Sequence, residues 1–401
     1  MRAAALLAAL LWVAALRVGA QDDAGQALLQ RVRAHMVETL QRQPNYTCLE
    51  TVERANRAGR EKQFRVQDTV RLEVALVNGQ EMFAWPGSKQ FEDTDMRHFV
   101  PTGMFGSGDF GLYTKAVFAG TRTEIDYQGQ SYLERRPAVR FDFHVPVETG
   151  MKIRDQDNTA TVPYHGSFYV EPRTLDVLRL EVIADNLPRK LQLSEVTDTM
   201  EFARVRIGSD DFLLPSASEA QMIDLRAGAS RNRIRFSECR EFAGEATLKF
   251  GDDTEADAGT PAAAAKQEIP LPKNAVVALR LVDTIDTDKA AVGDPVKAAL
   301  DADVKEKGRV LLPKGTAVAG RIVRLEHNAT YTVLGFMFQE AESETAHAAL
   351  DLSFDMATGP ELVAPGTRWG TPVPVRPHEG LIAIRPGHVK LSRGMIFFWR
   401  S

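Results

Sequence analysis

The sequence predicts a mainly β protein of the α+β kind: an incomplete antiparallel β-barrel with a helical lid, followed by a small all-β barrel or sandwich. Three observations carry this. Short apolar-rich runs, many of them alternating, recur along most of the 401 residues with turn residues between them. Only two stretches show the three- and four-residue spacing of a helix. An acidic, alanine-rich segment at 251–268 has no large apolar side chain and divides the chain as a flexible linker. The expected units are therefore 21–250 and 269–401.

The chain opens with Met1-Arg2, runs apolar from Ala3 to Leu16, and continues through small residues to Ala20. That order predicts a secretory signal peptide over 1–20. About 14 apolar residues reach only about 21 Å as a helix, short of the ~30 Å hydrocarbon core. No cysteine near the cut offers a lipid attachment point, and no later segment approaches 18 consecutive apolar residues. The expectation is a protein exported to the periplasm of a bacterial cell envelope, soluble after cleavage and not integral to the membrane.

Removing 1–20 takes Arg2 and Arg17 and leaves 47 cations against 54 carboxylates, a net charge of −7. Residues 21–250 carry −4, 251–268 carry −4 and 269–401 carry +1. Neither large unit has a nucleic-acid footprint.

Residues 24–42 read as one helix, with Leu28, Leu29, Val32, Met36 and Leu40 on one face and Pro44-Asn45 ending it. Val70, Leu72, Val74 and Leu76 then alternate with Arg71, Glu73 and Ala75. Asn78-Gly79 supplies a hairpin turn, because both central positions need positive φ. Gln80 to Trp85 returns as the partner strand. Residues 92–120 are glycine-rich and then helical in spacing from Phe110 to Phe118, which reads as a loop and a short helix. Strands resume over 121–147, and 148–163 reads as a polar, mobile loop. Six further runs follow between Gly166 and Phe242, separated by turn signals such as Glu171-Pro172 and Gly208-Ser209-Asp210. Strands this frequent argue for a curved antiparallel sheet with a helix over its open face. From Ile269 to Trp399 eight short apolar-rich runs with Pro-Lys-Gly, Pro-Gly and Arg-Gly turns predict the second β unit.

No catalytic constellation emerges, so the expectation is a protein that is not an enzyme, with no cofactor and no metal. Gly106-Ser107-Gly108-Asp109-Phe110-Gly111 matches a dinucleotide fingerprint in letters. It follows no buried strand and belongs to no βαβ unit, so it reads as a flexible loop that caps or gates the sheet. The eight histidines are scattered singly, and there is no C-x-x-C. There is no G-x-S-x-G elbow. Arg231, Arg233 and Arg235 alternate on a strand and share one face. Such a row meets phosphates or lipid headgroups in some proteins and solvent in most. The two cysteines, Cys48 and Cys239, lie on strand-like stretches at opposite ends of the first unit. An oxidising compartment favours a disulfide between them, the alternative being two buried thiols.

A curved sheet closed by a helix can hold an apolar pocket in its concavity. Leu72, Val74, Phe83, Trp85, Leu178, Leu180 and Val182 are the expected lining, or else the filling of a solid core.

Residues 24–250 resemble the outer-membrane lipoprotein-sorting family (the LolA, LolB and RseB type). The resemblance lies in the helix, the hairpin Val70 to Trp85, the phrase Phe168-Tyr169-Val170-Glu171-Pro172-Arg173-Thr174, and Val205-Arg206-Ile207-Gly208 leading to Leu214-Pro215. It implies an incomplete barrel with an apolar cavity for acyl chains. Residues 271–320 resemble the TrbI-type barrel domain of conjugation and type IV secretion proteins, above all in Gly308-Arg309-Val310-Leu311-Leu312-Pro313-Lys314-Gly315-Thr316 and Gly320. Here Gly315 is expected to supply a turn and Gly320 a close approach or bend. Together these imply a periplasmic binding or scaffold protein whose first domain takes a lipid or lipoprotein acyl chain and whose second docks an envelope protein partner. The alternative is a purely structural component of an envelope or secretion-type assembly with no small ligand.

Overall fold

The computed structural model describes residues 23–88, 90–92, 99, 112–155, 158–242, 247–249, 267–327, 331–358, 362, 378–385 and 387–401. The expected signal peptide, the glycine motif at 106–111 and the expected linker as far as residue 266 lie outside the described residues.

Residues 23–42 form helix α1. Leu29, Val32 and Met36 recur at three- and four-residue steps and are its buried stripe. The first fourteen strands follow. They are β1 (Tyr46–Arg57), β2 (Arg65–Val77), β3 (Gln80–Ala84), β4 (Gln90–Glu92), β5 (Glu124–Leu133), β6 (Arg136–Val145), β7 (Met151–Asp155), β8 (Asn158–Val162), β9 (Tyr164–Val170), β10 (Val177–Ala184), β11 (Leu193–Ile207), β12 (Asp210–Asp224), β13 (Ala229–Glu241) and β14 (Thr247–Lys249). All but β7 and β8 join one curled sheet in the order β14-β4-β3-β2-β1-β13-β12-β11-β10-β9-β6-β5. Only the β14–β4 pair is parallel. The β1–β13 pairing closes the first strand of this unit onto its last long one. As the sequence predicts, Asn78 and Gly79 both have positive φ, 52° and 78°, and turn β2 into β3.

Helix α1 shares a core with the far half of the sheet. Val32, Met36, Phe141, Phe168, Leu180, Val182 and Met200 belong to it, with Val117 and Phe118. The last two come from a helical segment, Leu112–Thr114 and Lys115–Ala119, where the sequence places its second helix. Phe118 meets Phe168 edge-on at 4.9 Å and Phe141 stacks on Phe168 at 5.0 Å. Arg33 donates to the carbonyl of Gly120 at 2.9 Å, and His35 and Asp176 are 2.9 Å apart. The helix is thus tied down at its polar edge as well.

Two expectations need correction. Residues 148–163 are not a loop: β7 and β8 form a hairpin of their own. Ile153 and Val162 bury against Leu191, Leu193 and Val196, and the short pairs Met151/Ile153 and Ala160/Val162 leave little alternation to read in so polar a stretch. Phe212–Leu214 and Ala220–Leu225 are not separate runs either. Up to Asp224 they lie on the single long strand β12, whose register to β11 slips between Phe202–Pro215 and Glu201–Ala217. That bulge interrupts the alternation and mimics a strand boundary.

The second unit contains β15 (Gln267–Glu268), β16 (Val276–Leu281), β17 (Ile285–Asp286), β18 (Pro295–Leu300), β19 (Val304–Glu306), β20 (Arg309–Leu312), β21 (Ala317–His327), β22 (Thr332–Glu342), β23 (Ala346–Ala349), β24 (Ser353–Thr358), β25 (Gly380–Ile384), β26 (Lys390–Leu391) and β27 (Ile396–Arg400). Nine of these form a sheet, β15-β23-β22-β21-β18-β16-β27-β24 with β25 on β22. Gln267 and Glu268 pair with Ala346 and His347, so the sheet claims the last two residues of the expected linker. Trp399 is fully buried against Phe338 and Phe354 at 5.5 and 5.0 Å. Gly315 turns at φ 90°, and a Cβ on Gly320 would lie 2.4 Å from the Phe338 ring. Both glycines therefore do what their places in the sequence suggest. Arg324 donates to both oxygens of Glu379 at 2.8 and 2.9 Å, a buried bidentate pair.

The two sheets share a seam. Val70 and Val292 form a parallel bridge. The amide of Arg71 donates to the Val292 carbonyl and the amide of Val292 to the Thr69 carbonyl, each at 2.8 Å. Gly293, at φ 100°, lets the backbone approach so closely that a Cβ there would meet the Arg71 carbonyl at 2.3 Å and the Trp85 ring at 2.7 Å. Arg321 of β21 lies over Trp85 at 5.4 Å. One apolar core runs continuously from Leu72 and Val74 into Val277, Phe336 and Trp399.

Candidate functional site

Strand alternation puts Tyr46, Cys48, Glu50, Val52 and Arg54 on one face of β1, and all five are buried. Cys48 is bonded to Cys239. The bond spans adjacent strands at a bulge, where the register of β1 on β13 shifts between Thr47 and Leu49. It staples the first strand of the sheet to its last long one.

Glu50 is the anomaly of this face. It has 0% exposure, stands opposite Leu72 on β2 and Phe236 on β13, and neither carboxylate oxygen has a hydrogen-bond partner among the described residues. Glu81 on β3 stands opposite Leu76, which stands opposite Tyr46, so the three form one row across the sheet. One oxygen of Glu81 is likewise buried and unpartnered among the described residues. Burial pushes the Glu50 carboxyl well above the usual carboxylate range, and the charge of Glu81 adds to the shift. Burial pushes Glu81 up to about 7, and burial followed by Glu81 raises the Tyr46 phenol. Burial thus favours the neutral acid form of Glu50, which can donate one hydrogen bond and accept others. Further along the same face Arg54 is committed to Asp68, with its Nε 2.6 Å from Oδ1.

Glu50 and Glu81 do not stand out in the sequence. One available signal is phase: Glu50 falls in register with Tyr46, Cys48 and Val52, where an alternating strand buries its residues.

The expected lining divides into three groups. Leu72, Val74 and Phe83 are buried on the Glu50 face, with Trp85 packed beside them at the seam. Leu180 and Val182 lie in the separate core that contains α1. Leu178 is on the other side of the sheet with Leu133 and Ala138, because the register of β10 on β9 shifts between Val177 and Arg179. The seven residues do not line one space.

Two cavities lie elsewhere. One of about 330 Å³ opens at the seam between Arg71, Asp283, Asp286, Lys289, Asp294 and Lys297. At its rim, Asp286, Asp288 and His388 bring donor atoms within 4.8 Å of one another. These groups are already engaged: His388 is 2.5 Å from Asp288, and Lys390 is 3.9 Å from Asp286. The other, about 780 Å³, is an open groove between Ile269 to Lys273 and the strands at Ala349, Asp351 and Ser353. Among the described residues no helix is long and apolar enough to cross a membrane.

No protein-family model and no curated protein matches the chain. Solved structures similar over part of it include the following two. A domain assigned as an outer membrane lipoprotein-sorting protein, from Vibrio parahaemolyticus, is 12% identical over 54% of this chain and 94% of its own, with a TM-score of 0.28. A DUF1329 family protein from Desulfovibrio piger ATCC 29098 is 13% identical over 54% of this chain and 94% of its own, with a TM-score of 0.29. At these scores neither likeness bears on what the chain does.

Proposed function

We propose that the chain is a non-enzymatic binding protein of a bacterial envelope, whose curled sheet takes the polar end of an amphiphile at Glu50 and Glu81. Its apolar body, a lipid or a lipoprotein acyl chain, lies along Leu72, Val74 and Phe83. The second unit, which resembles a TrbI-type barrel, serves as the docking module for an envelope partner.

The observation that supports this reading is the buried Glu50 carboxyl, which has no partner among the described residues. Leaving such a group unpaired costs on the order of 1–3 kcal/mol, and a module that only packs gains nothing from it. A ligand hydroxyl or amine placed there would recover the missing hydrogen bonds. The Cys48–Cys239 bond fits an oxidising compartment. The second reading, a structural component with no ligand, draws on the solid packing around Leu180 and Val182 and on the continuous core across the seam.

The test is native purification followed by organic extraction and mass spectrometry, with a fluorescent fatty-acyl probe offered to the extracted protein. A stoichiometric lipid in the extract, and probe binding that weakens in Glu50→Leu, are the expected results. No lipid and no probe binding would leave the structural reading standing.

A further inference from the structure

The antiparallel order of the sheet brings three loops to one end of it: 58–64 between β1 and β2, 185–192 between β10 and β11, and 225–228 between β12 and β13. They touch. A Cβ on Gly59 would meet the Arg226 carbonyl at 2.3 Å, and the Leu225 amide donates to the Gln192 carbonyl at 3.0 Å. This end is strongly basic. The first loop and its flanks carry Arg57, Arg60, Lys62 and Arg65; the others add Arg189, Lys190, Arg226 and Arg231. Against these eight cations stand four carboxylates, Glu61, Asp185, Glu195 and Asp224, in a chain whose formal net charge is −5. The nearby β7–β8 hairpin adds Arg154 and Asp155, which offset one another.

Three of the four carboxylates are spent locally. Asp185 pairs with His165 at 2.8 Å and Glu61 with Arg65 at 2.8 Å, while Asp224 accepts the amides of Arg226 and Gly228. Arg60, Lys62, Arg189, Lys190 and Arg226 are exposed and have no ion pair among the described residues. Phe64 sits between Arg57 and Arg231, with guanidinium carbons 5.5 and 4.2 Å from its ring centroid; this cation–π sandwich stiffens the loop. Two apolar side chains protrude beside the cations, Val66 at 42% and Leu225 at 55% exposure. The alternating arginines of β13 are thereby sorted. Arg231 belongs to this end, and Arg233 is paired with Glu219 at 2.7 Å.

We propose that this end of the sheet docks on an anionic phospholipid surface, with the cations meeting headgroup phosphates and Val66 and Leu225 entering the interface. Unpaired cations attract such a surface over a Debye length, and neighbouring apolar tips add short-range burial once contact is made. The surface is separate from the Glu50 face, so it stands whether or not the interior takes a ligand.

The experiment is co-sedimentation of the purified protein with vesicles of phosphatidylcholine alone and of phosphatidylcholine mixed with phosphatidylglycerol. The expected result is binding only to the anionic vesicles, lost as salt is raised to about 1 M. Each cation near such a surface contributes a factor of about five to partitioning. The triple variant Arg60→Glu, Lys62→Glu, Arg226→Glu should therefore bind at least tenfold more weakly. A control triple with the same charge change on the exposed β19–β20 hairpin, Lys305→Glu, Lys307→Glu, Arg309→Glu, should bind as the unaltered protein does. Leu225→Ser should weaken binding while leaving the charge of this end unchanged. No binding of the unaltered protein to anionic vesicles, equal binding to neutral ones, or equal losses in the two triples would overturn the proposal.

Discussion

Arg71 and Asp294, 223 residues apart in the chain, hold one another across the seam between the two sheets. Arg71 Nη1 lies 2.7 and 2.6 Å from the two Asp294 oxygens, and its Nη2 donates to the Lys289 carbonyl at 2.8 Å. Asp294 Oδ2 also accepts the Ala291 amide at 2.9 Å, so one pair fixes both the partner strand and the loop that meets it. Arg71→Ala would leave a half-buried carboxylate without its cation, at a cost of about 1–3 kcal/mol. Calorimetry should then resolve two unfolding transitions where the unaltered chain gives one. A single transition at an unchanged midpoint would mean that the backbone bridge alone holds the units together.

The buried acids set a pH dependence. Glu81 keeps its proton up to about pH 7 in the folded chain against an ordinary value of 4.5, and Glu50 is shifted the same way. The folded state therefore binds more protons than the unfolded one across that window. Their contribution is fully present below about pH 4.5 and is lost as pH rises through the folded values. Glu50→Gln removes the ionisation that favours the unfolded chain as pH rises above about 4.5. It should unfold like the unaltered protein near pH 4 and be more stable by about 1–3 kcal/mol near pH 8. Denaturant melts at the two pH values check this, and an equal stability difference at both would refute it.

Reducing the Cys48–Cys239 bond should cost about 2–5 kcal/mol, because it frees a loop closed across 191 residues of sequence in the unfolded chain. The double variant Cys48→Ala, Cys239→Ala measures the same loss by denaturant melts without reductant. Because the bond lies between adjacent strands, the variant should keep its far-ultraviolet circular dichroism.

Leu180→Glu places a carboxylate in the core that contains α1, where Leu180 has 0% exposure. It should destabilise the chain by on the order of 4 kcal/mol or more. A folded Leu180→Glu protein with weakened acyl-probe binding would instead make that region a pocket.

Most of the strands, the Asn78-Gly79 turn and the apolar stripe of α1 were legible in the sequence, since local periodicity and turn chemistry write them there; the β7–β8 hairpin was not. The bulges were not. One merges Phe212–Leu214 and Ala220–Leu225 into a single strand, and another turns Leu178 away from Leu180, each by an extra residue that breaks the alternation a reader counts. The candidate site was legible only in part. Leu72, Val74 and Phe83 fall where an apolar strand face predicts. The importance of Glu50 depends on which neighbours cover it, and they come from β2 and β13, strands on either side of β1 but far apart in sequence.

What the sequence determined by itself is the inventory: a β-rich chain, its turns, its lidding helix, and two cysteines. What the tertiary structure decided is adjacency. Closing β1 onto β13 puts Cys48 beside Cys239, strips water from Glu50, and gathers the loops at Arg60, Lys190 and Arg226 to one end of the sheet. Bringing β2 against the 289–294 loop fuses two units that composition alone divides. The reason is physical. Side-chain periodicity is a property of one strand, whereas desolvation, ion pairing and the summed charge of a surface are properties of strands and loops the fold brings together.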